Sequence, residues 1–259
     1  MITSFIQGGL GNQMFQISAG ISLAFDIQDD FCLIEGQHHL PLQGNNISKY
    51  KTNIFRKIKF LNEEHFYKLN IFVEPKFSYT PIPKNRNLLL QGYFQSEKYF
   101  SNNSQLILDL FSPTNQDIEQ IKKQAPYIFS ESCCSIHLRF GDYLKFPDIH
   151  PTVSSDYIFN ALDYIKDYDR IVCFSDDPTK CKELFSKKNI TYLNLEKDYL
   201  DMYAMSYCAN NIIANSSFSW WGAWLNRNKN KKIVAPKIWF GPKGPQDYQD
   251  IYCNEWKVI

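Results

Sequence analysis

Between residues 133 and 235 the sequence repeats one pattern: a short apolar, β-branched run, then a segment whose apolar residues recur at helical spacing. The runs at 133–138, 171–174, 191–193, 211–214 and 232–235 read as strands. The intervening segments read as helices. Ser154 or Ser155 can cap a helix whose Ile158, Ala161, Leu162 and Ile165 share one face, and Pro178 suits the first turn of the next. In a third, Leu200, Tyr203, Ala204, Tyr207 and Cys208 fall at i, i+3, i+4, i+7 and i+8. Strands joined by helical crossovers lie parallel and need helices on their faces, so the alternation selects an α/β fold. The pattern also opens the chain: strand 3–6, turn 8–11, helix 12–25, strand 31–34. The stretch 37–86, rich in Asn, Lys and Pro, reads as loops and insertions. Two βα-rich halves are expected, joined near 112–132, where Ser112-Pro113 opens a connecting helix, with a ligand in the cleft between them.

A chain of 259 residues buries a full core without disulfides. Its 28 Lys and Arg against 27 Asp and Glu leave a formal charge of +1, which argues against a protein that mainly covers nucleic-acid phosphates or an anionic membrane. An anionic ligand must be met by a few placed groups. Arginines number five (Arg56, Arg86, Arg139, Arg170, Arg227), so one inside a motif carries weight. The cysteines Cys32, Cys133, Cys134, Cys173, Cys181, Cys208 and Cys253 are odd in number and lack a Cys-x-x-Cys pair, which fits neither a disulfide framework nor a zinc ribbon. They read as buried thiols of a reducing cytosol. The N-terminus has no signal-peptide pattern, and no run approaches the roughly 18 apolar residues of a membrane span. The expectation is a soluble cytoplasmic protein in which the sequons at Asn46, Asn102, Asn189 and Asn215 carry no meaning.

Four motifs follow strands. Gly8-Gly9-Leu10-Gly11-Asn12-Gln13 leads into a helix, and Glu35 ends the next strand where a dinucleotide fold keeps its ribose acid. The G-x-G-x-x-G pattern fails at Met14, so a structural tight turn competes with cofactor binding. Ser135 to Tyr143 places His137 and Arg139 on alternate positions of a strand end, before a Gly141 turn. Arg139 there suits bidentate contact with a pyrophosphate, or a local salt bridge to Asp142. In Phe174-Ser175-Asp176-Asp177-Pro178 the acids could cap a helix, or accept the paired N–H donors of guanine. In the run 212–225, Ser216, Ser217 and Phe218 open a helix whose N–H groups converge on an anion. Trp220, Trp221 and Trp224 read as core, and Gly222 as a close helix contact.

Weaker candidates are Asp167-Tyr168-Asp169, which precedes a strand where a metal-binding Asp-x-Asp would follow one, the adjacent His38 and His39, and the isolated His65. Arg227, Lys229, Lys231 and Lys232 read as a solvated turn that could also steer an anionic nucleotide or rest peripherally on a membrane face.

Taken in order, G-G-L-G-N-Q-M-F-Q at 8–16, H-x-R-x-G-D-Y at 137–143, F-S-D-D at 174–177 and the run 201–225 (D-M-x-x-M-S-x-C through N-I-I-A-N-S-S-F-S-W-W-G-A-W-L) resemble the bacterial α-1,2-fucosyltransferases of glycosyltransferase family 11. The resemblance implies an α/β fold of GT-B type, two Rossmann-like domains facing a cleft, with 1–130 on the acceptor side and 131–259 binding GDP-fucose. It implies inverting transfer of L-fucose from GDP-β-L-fucose to the 2-hydroxyl of a terminal β-galactoside in a surface glycan such as an O-antigen or capsule, with no metal and no cofactor beyond the donor. Arg139 would neutralise the leaving β-phosphate, aided by N–H groups around Ser216, Ser217 and Phe218; His137 would hold phosphate or ribose; Asp176 or Asp177 would read guanine; Asn12 would face the reacting centre. The family's second arginine is Phe140 here. Glu35, Asp142 and Asp148 are the candidate bases. A related transferase of other acceptor or linkage, and a nucleotide-sugar-binding protein without turnover, are the alternatives.

Overall fold

The computed structural model describes residues 1–34, 47–62, 69–185 and 190–259. Among these, the chain divides into two units: Met1–Ser112 with Asp247–Cys253, and Pro113–Gln246 with Asn254–Ile259.

In the first unit, β1 (Ile2–Ser4) leads into α1 (Leu10–Asp26) and then β2 (Leu33–Ile34), a βαβ unit closed by a parallel bridge from Ile2 to Phe31. β1 pairs in parallel with β5 (Leu88–Gln91), which pairs with β4 (Asn70–Val73); β2 pairs with β3 (Phe60–Leu61). Strand β1 ends earlier than the expected residue 6. The Gln16 side chain takes the backbone of Gln7 out of the ladder, accepting from its N–H (3.0 Å) and donating to its carbonyl (3.1 Å). Helix α1 starts at Leu10, two residues before the expected position, because Gly9, in extended backbone, already accepts from the N–H of Gln13 at 3.1 Å. Met14 is fully buried. The close helix–strand contact that a third glycine would supply falls instead at Gly20, where a Cβ would meet Ser4 Oγ at 2.8 Å and the Phe31 ring.

The second unit begins with α3 (Asn115–Gln124), after α2 (Ser104–Leu110) has closed the main segment of the first. A capping box starts α3: Thr114 Oγ1 accepts from Asp117 N–H (3.1 Å) and the Asp117 carboxylate accepts from Thr114 N–H (2.8 Å). Both α3 and α4 (Tyr127–Ser130) pack on α7 (Asp198–Tyr207), with the Phe129 and Tyr207 rings 4.9 Å apart. Hence the division falls at Ser112/Pro113 where the sequence suggested 130/131, and the tail crosses back twice.

Six parallel strands follow: β6 (Cys133–Leu138), β7 (Arg170–Ser175), β8 (Ile190–Tyr192), β9 (Asn210–Ile212), β10 (Ile233–Ala235) and β11 (Lys257–Val258). They lie in the order β11-β10-β9-β6-β7-β8. Connections run outward from β6 in one direction and from β9 in the other, so the topology reverses between β6 and β9. Helix α5 (Ser155–Ile165), capped by Ser154 Oγ accepting from Tyr157 N–H, buries Ile158, Ala161, Leu162 and Ile165 against Ile136, Cys173 and Val234. Helix α8 (Ser217–Trp224) lies against α7, where a Cβ on Gly222 would meet Met205 Cε at 2.6 Å. Trp220 and Trp221 are fully buried, and Trp256 packs on Trp220. Asp169, after α5, accepts from Ser132 N–H. All seven cysteines are buried thiols. Among the described residues no helix is long and apolar enough to cross a membrane.

Candidate active site

In a parallel sheet the carboxyl ends of the strands flanking the reversal face a common crevice. Here those ends carry Leu138-Arg139 after β6 and Asn215-Ser216-Ser217 after β9, with Ser175-Asp176 at the end of the adjacent β7. The motifs at 137–143, 174–177 and 212–225 therefore meet at one edge of one sheet.

At this edge carboxylates hold Arg139 on both sides. Its Nε and Nη2 both donate to Asp142 Oδ1 (3.0 and 2.7 Å), and its Nη1 lies 3.1 Å from Asp176 Oδ2. The two sequence readings of Arg139 are thus not exclusive: the salt bridge to Asp142 exists, and it occupies the side-on edge that a phosphate would use. Asp176 also accepts from the N–H of Phe140 (2.9 Å). The contact depends on Gly141, because a Cβ there would lie 2.6 Å from Asp176 Oδ2. Asp177 behaves differently. It caps α6 (Pro178–Leu184), accepting from Lys180 N–H (3.1 Å), and pairs with Lys180 Nζ (2.7 Å), which also lies over the Phe140 ring at 5.9 Å.

His137 is buried, its ring 5.3 Å from that of Phe218. Its Nδ1 has no hydrogen-bond partner among the described residues. Burial, helped by the charge of Arg139, pushes its pKa down to about 3, so it stands here as a neutral imidazole and can offer one N–H, not a positive charge. Ser216 is the N-cap of α8 but makes no side-chain capping bond, which leaves the first-turn N–H groups beginning at Ser217 and Phe218 to be met from outside the helix.

Tyr143, which the sequence reading passed over, ties the two anion-facing turns together. Its hydroxyl donates to the carbonyl of Asn215 (2.7 Å) and bonds Ser216, while its ring stacks on His150 at 4.9 Å. The signal was present as the last letter of H-x-R-x-G-D-Y. Of the candidate bases, Asp142 is engaged by Arg139, and Asp148 is paired with Lys243 (2.8 Å) on the surface. Glu35 lies outside the described residues, as do His38, His39, His65 and the sequon asparagines Asn46 and Asn189.

Asn12 belongs to the first unit. Its Oδ1 accepts from Gln95 Nε2 at 2.7 Å. Gln13 Nε2 donates to the carbonyl of Gly8 (2.9 Å), and with Gln16 it holds the glycine turn that presents Asn12. Gly8 has φ +77°, and a Cβ on it would strike Asn12 Nδ2.

The sequence matches Glycosyl transferase family 11 over residues 1–259. It is 30% identical to the O-antigen biosynthesis glycosyltransferase WbnK of Escherichia coli, over 92% of this chain and 94% of that protein. It is 29% identical to the alpha-1,2-colitosyltransferase of the same organism, over 93% and 92%. Among solved structures, the NodZ alpha-1,6-fucosyltransferase soaked with GDP-fucose shares the fold, with a TM-score of 0.53 at 12% identity over 86% of this chain and 91% of that one. With its motifs collected at the ends of strands in parallel sheets, the chain belongs to glycosyl transferase family 11 and has the GT-B type of fold.

Proposed function

We propose that this glycosyltransferase moves L-fucose from GDP-β-L-fucose to the 2-hydroxyl of a terminal β-galactoside, with inversion and without a metal, building a Fuc-α-1,2-Gal linkage of a bacterial surface glycan. The observation that carries the reading is the guanidinium of Arg139 at the reversal of a parallel sheet, beside an uncapped helix N-terminus. These are two fixed sources of positive potential aimed at a diphosphate. In the reaction the acceptor oxygen bonds the anomeric carbon as the bond from that carbon to the β-phosphate oxygen breaks. The electron pair leaves with GDP, and the hydroxyl proton passes to solvent or a base. A fucosyl transition state is oxocarbenium-like, so stabilising the leaving group lowers the barrier most, and Arg139 with the Ser217 and Phe218 amides supplies that.

Donor binding then involves an exchange. To reach Nε and Nη2 of Arg139, the diphosphate displaces Asp142, while Asp176 keeps its hold on Nη1 and on the Phe140 amide. Of the two acids proposed for guanine, Asp176 is tied to Arg139 and the Phe140 amide, and Asp177 to Lys180 and the first turn of α6. His137, neutral, donates to a ribose or phosphate oxygen. The first unit contributes Asn12 on the acceptor side.

The second reading is transfer of a different deoxyhexose, favoured by the 29% identity to an alpha-1,2-colitosyltransferase. The test is incubation with GDP-fucose or GDP-colitose and with lactose or lacto-N-biose, in EDTA, followed by linkage analysis of the product. We expect GDP release and a Fuc-α-1,2-Gal product from GDP-fucose. Turnover of GDP-colitose alone establishes the second reading, and turnover lost in EDTA and restored by manganese overturns the metal-free mechanism.

A further inference from the structure

In an asparagine the amide nitrogen donates and the carbonyl oxygen accepts, so whatever pins one end decides what the other offers. Asn12 is pinned at its oxygen by Gln95, a residue buried to 7% exposure and 83 positions away in the chain. Its nitrogen rests over the bare Cα of Gly8.

Gln95 is itself held by an unusual turn. The preceding residue, Phe94, is fully buried and adopts φ +51°, a left-handed conformation that bulky side chains rarely take. The carboxylate of Glu74 compensates. It accepts from the N–H of Tyr93 (2.7 Å), from that of Phe94 (3.0 and 3.1 Å) and from the hydroxyl of Tyr99 (3.3 Å). Gly92 gives it room, since a Cβ there would lie 2.7 Å from Glu74 Oε2. Phe94 packs against Tyr99 at 5.2 Å, and the N–H of Ser96 bonds the Phe94 carbonyl (2.8 Å), so the turn is fixed on each side of Gln95.

We infer that Gln95 is a positioning residue that sets the polarity of Asn12: by taking the asparagine carbonyl it leaves the amide N–H2 as the group offered to a sugar oxygen, and Glu74 holds Gln95 in place to do so. The inference rests on the proposal that Asn12 faces the reacting sugars, and it adds that Asn12 acts there as a donor.

The experiment compares Gln95→Glu, Gln95→Leu and Asn12→Ala with the unaltered protein, measuring kcat/KM for the acceptor over a range of pH, the affinity for GDP, and the thermal unfolding midpoint. A glutamate accepts where glutamine donates, so Asn12 must turn its N–H2 inward. We expect Gln95→Glu to lose roughly tenfold or more in kcat/KM at neutral pH, with GDP affinity unchanged. The loss recovers as pH falls and the glutamic acid is protonated and donates again, and burial at this position moves that recovery above the ordinary carboxylate range. Gln95→Leu, which removes the pin without reversing it, loses less than Gln95→Glu. A near-normal Gln95→Glu beside an impaired Gln95→Leu means that Gln95 only fills space or that Asn12 presents its carbonyl; either result overturns the inference while the role of Asn12 stands. An Asn12→Ala protein with unaltered kinetics removes the role of Asn12 itself, and the inference with it.

Discussion

At the residue scale, Arg139 has two carboxylate partners and one proposed substrate, and the competition has a measurable consequence. Asp142 holds the Nε and Nη2 edge. Asp142→Asn weakens that hold, so GDP is expected to bind more tightly, by up to about 5-fold for a partly exposed pair, in a calorimetric titration. Unchanged or weaker binding would show that Asp142 does not stand in the phosphate's place. The position of Arg139 was legible in the sequence because His and Arg on alternate positions of a strand cannot both be core. What Arg139 touches was not legible. Salt bridge and phosphate contact use the same atoms, and the sequence could only state both. Gln95 escaped notice for a different reason. It acts through a side chain 83 residues away, from an irregular turn that Glu74 stabilises with acceptor oxygens, and nothing in local periodicity reports such a bond.

At the element scale, the second unit followed its periodicity closely, and the first only in part. Strand β6 covers the expected 133–138, and the helices α5 and α6 begin where Ser154, Asp177 and Pro178 place them, since caps and apolar spacing act within a few residues. The early strands are two to four residues long, and side chains such as Gln16 decide their ends by claiming backbone groups. Helix α1 depends on Gly20 for its approach to β1. Gly20→Ala is expected to lower stability by about 1–3 kcal/mol in urea denaturation, because the Phe31 ring and the Ser4 hydroxyl, bonded to the Gln16 carbonyl, must move.

Helix α7 contains a second lever. Burial, with the charge of Asp198 adding to it, pushes Asp201 up to about 7, and the N–H of Leu195 offsets this only partly. An unfolded aspartate titrates near 3.9. Between these values the native state binds the extra proton, so stability falls as pH rises through the window, and the loss is complete above 7. Asp201→Asn keeps an acceptor for Leu195 and removes the titration. Its advantage over the unaltered protein should be absent near pH 3, grow to about 2–4 kcal/mol by pH 8, and show as a flattened pH profile in denaturant unfolding. A parallel loss in both proteins would reject this assignment.

At the scale of the whole molecule, the chain is near neutral, yet one sheet edge concentrates Arg139, three carboxylates and an uncapped helix start. The sequence reads a connecting stretch near 112–132 with the boundary at 130/131, and the return of 247–253 to the first unit was not legible in it. That return rests on Asp247 accepting from Ser78 N–H and on Asp250 accepting from Tyr79 N–H and pairing with Lys98. Hydrogen bonds between residues about 170 positions apart, and an ion pair 152 apart, leave no periodic trace. Arg139 is proposed to do for leaving GDP what a metal does elsewhere. The most direct test is the single-turnover rate of GDP release from GDP-fucose, with a β-galactoside acceptor and excess EDTA, in the unaltered protein and in Arg139→Ala. Full turnover in EDTA is expected for the former, and a loss of about 10²–10³ in rate for the variant, folded as judged by its unfolding midpoint. A variant that releases GDP at the unaltered rate would contradict this role of Arg139.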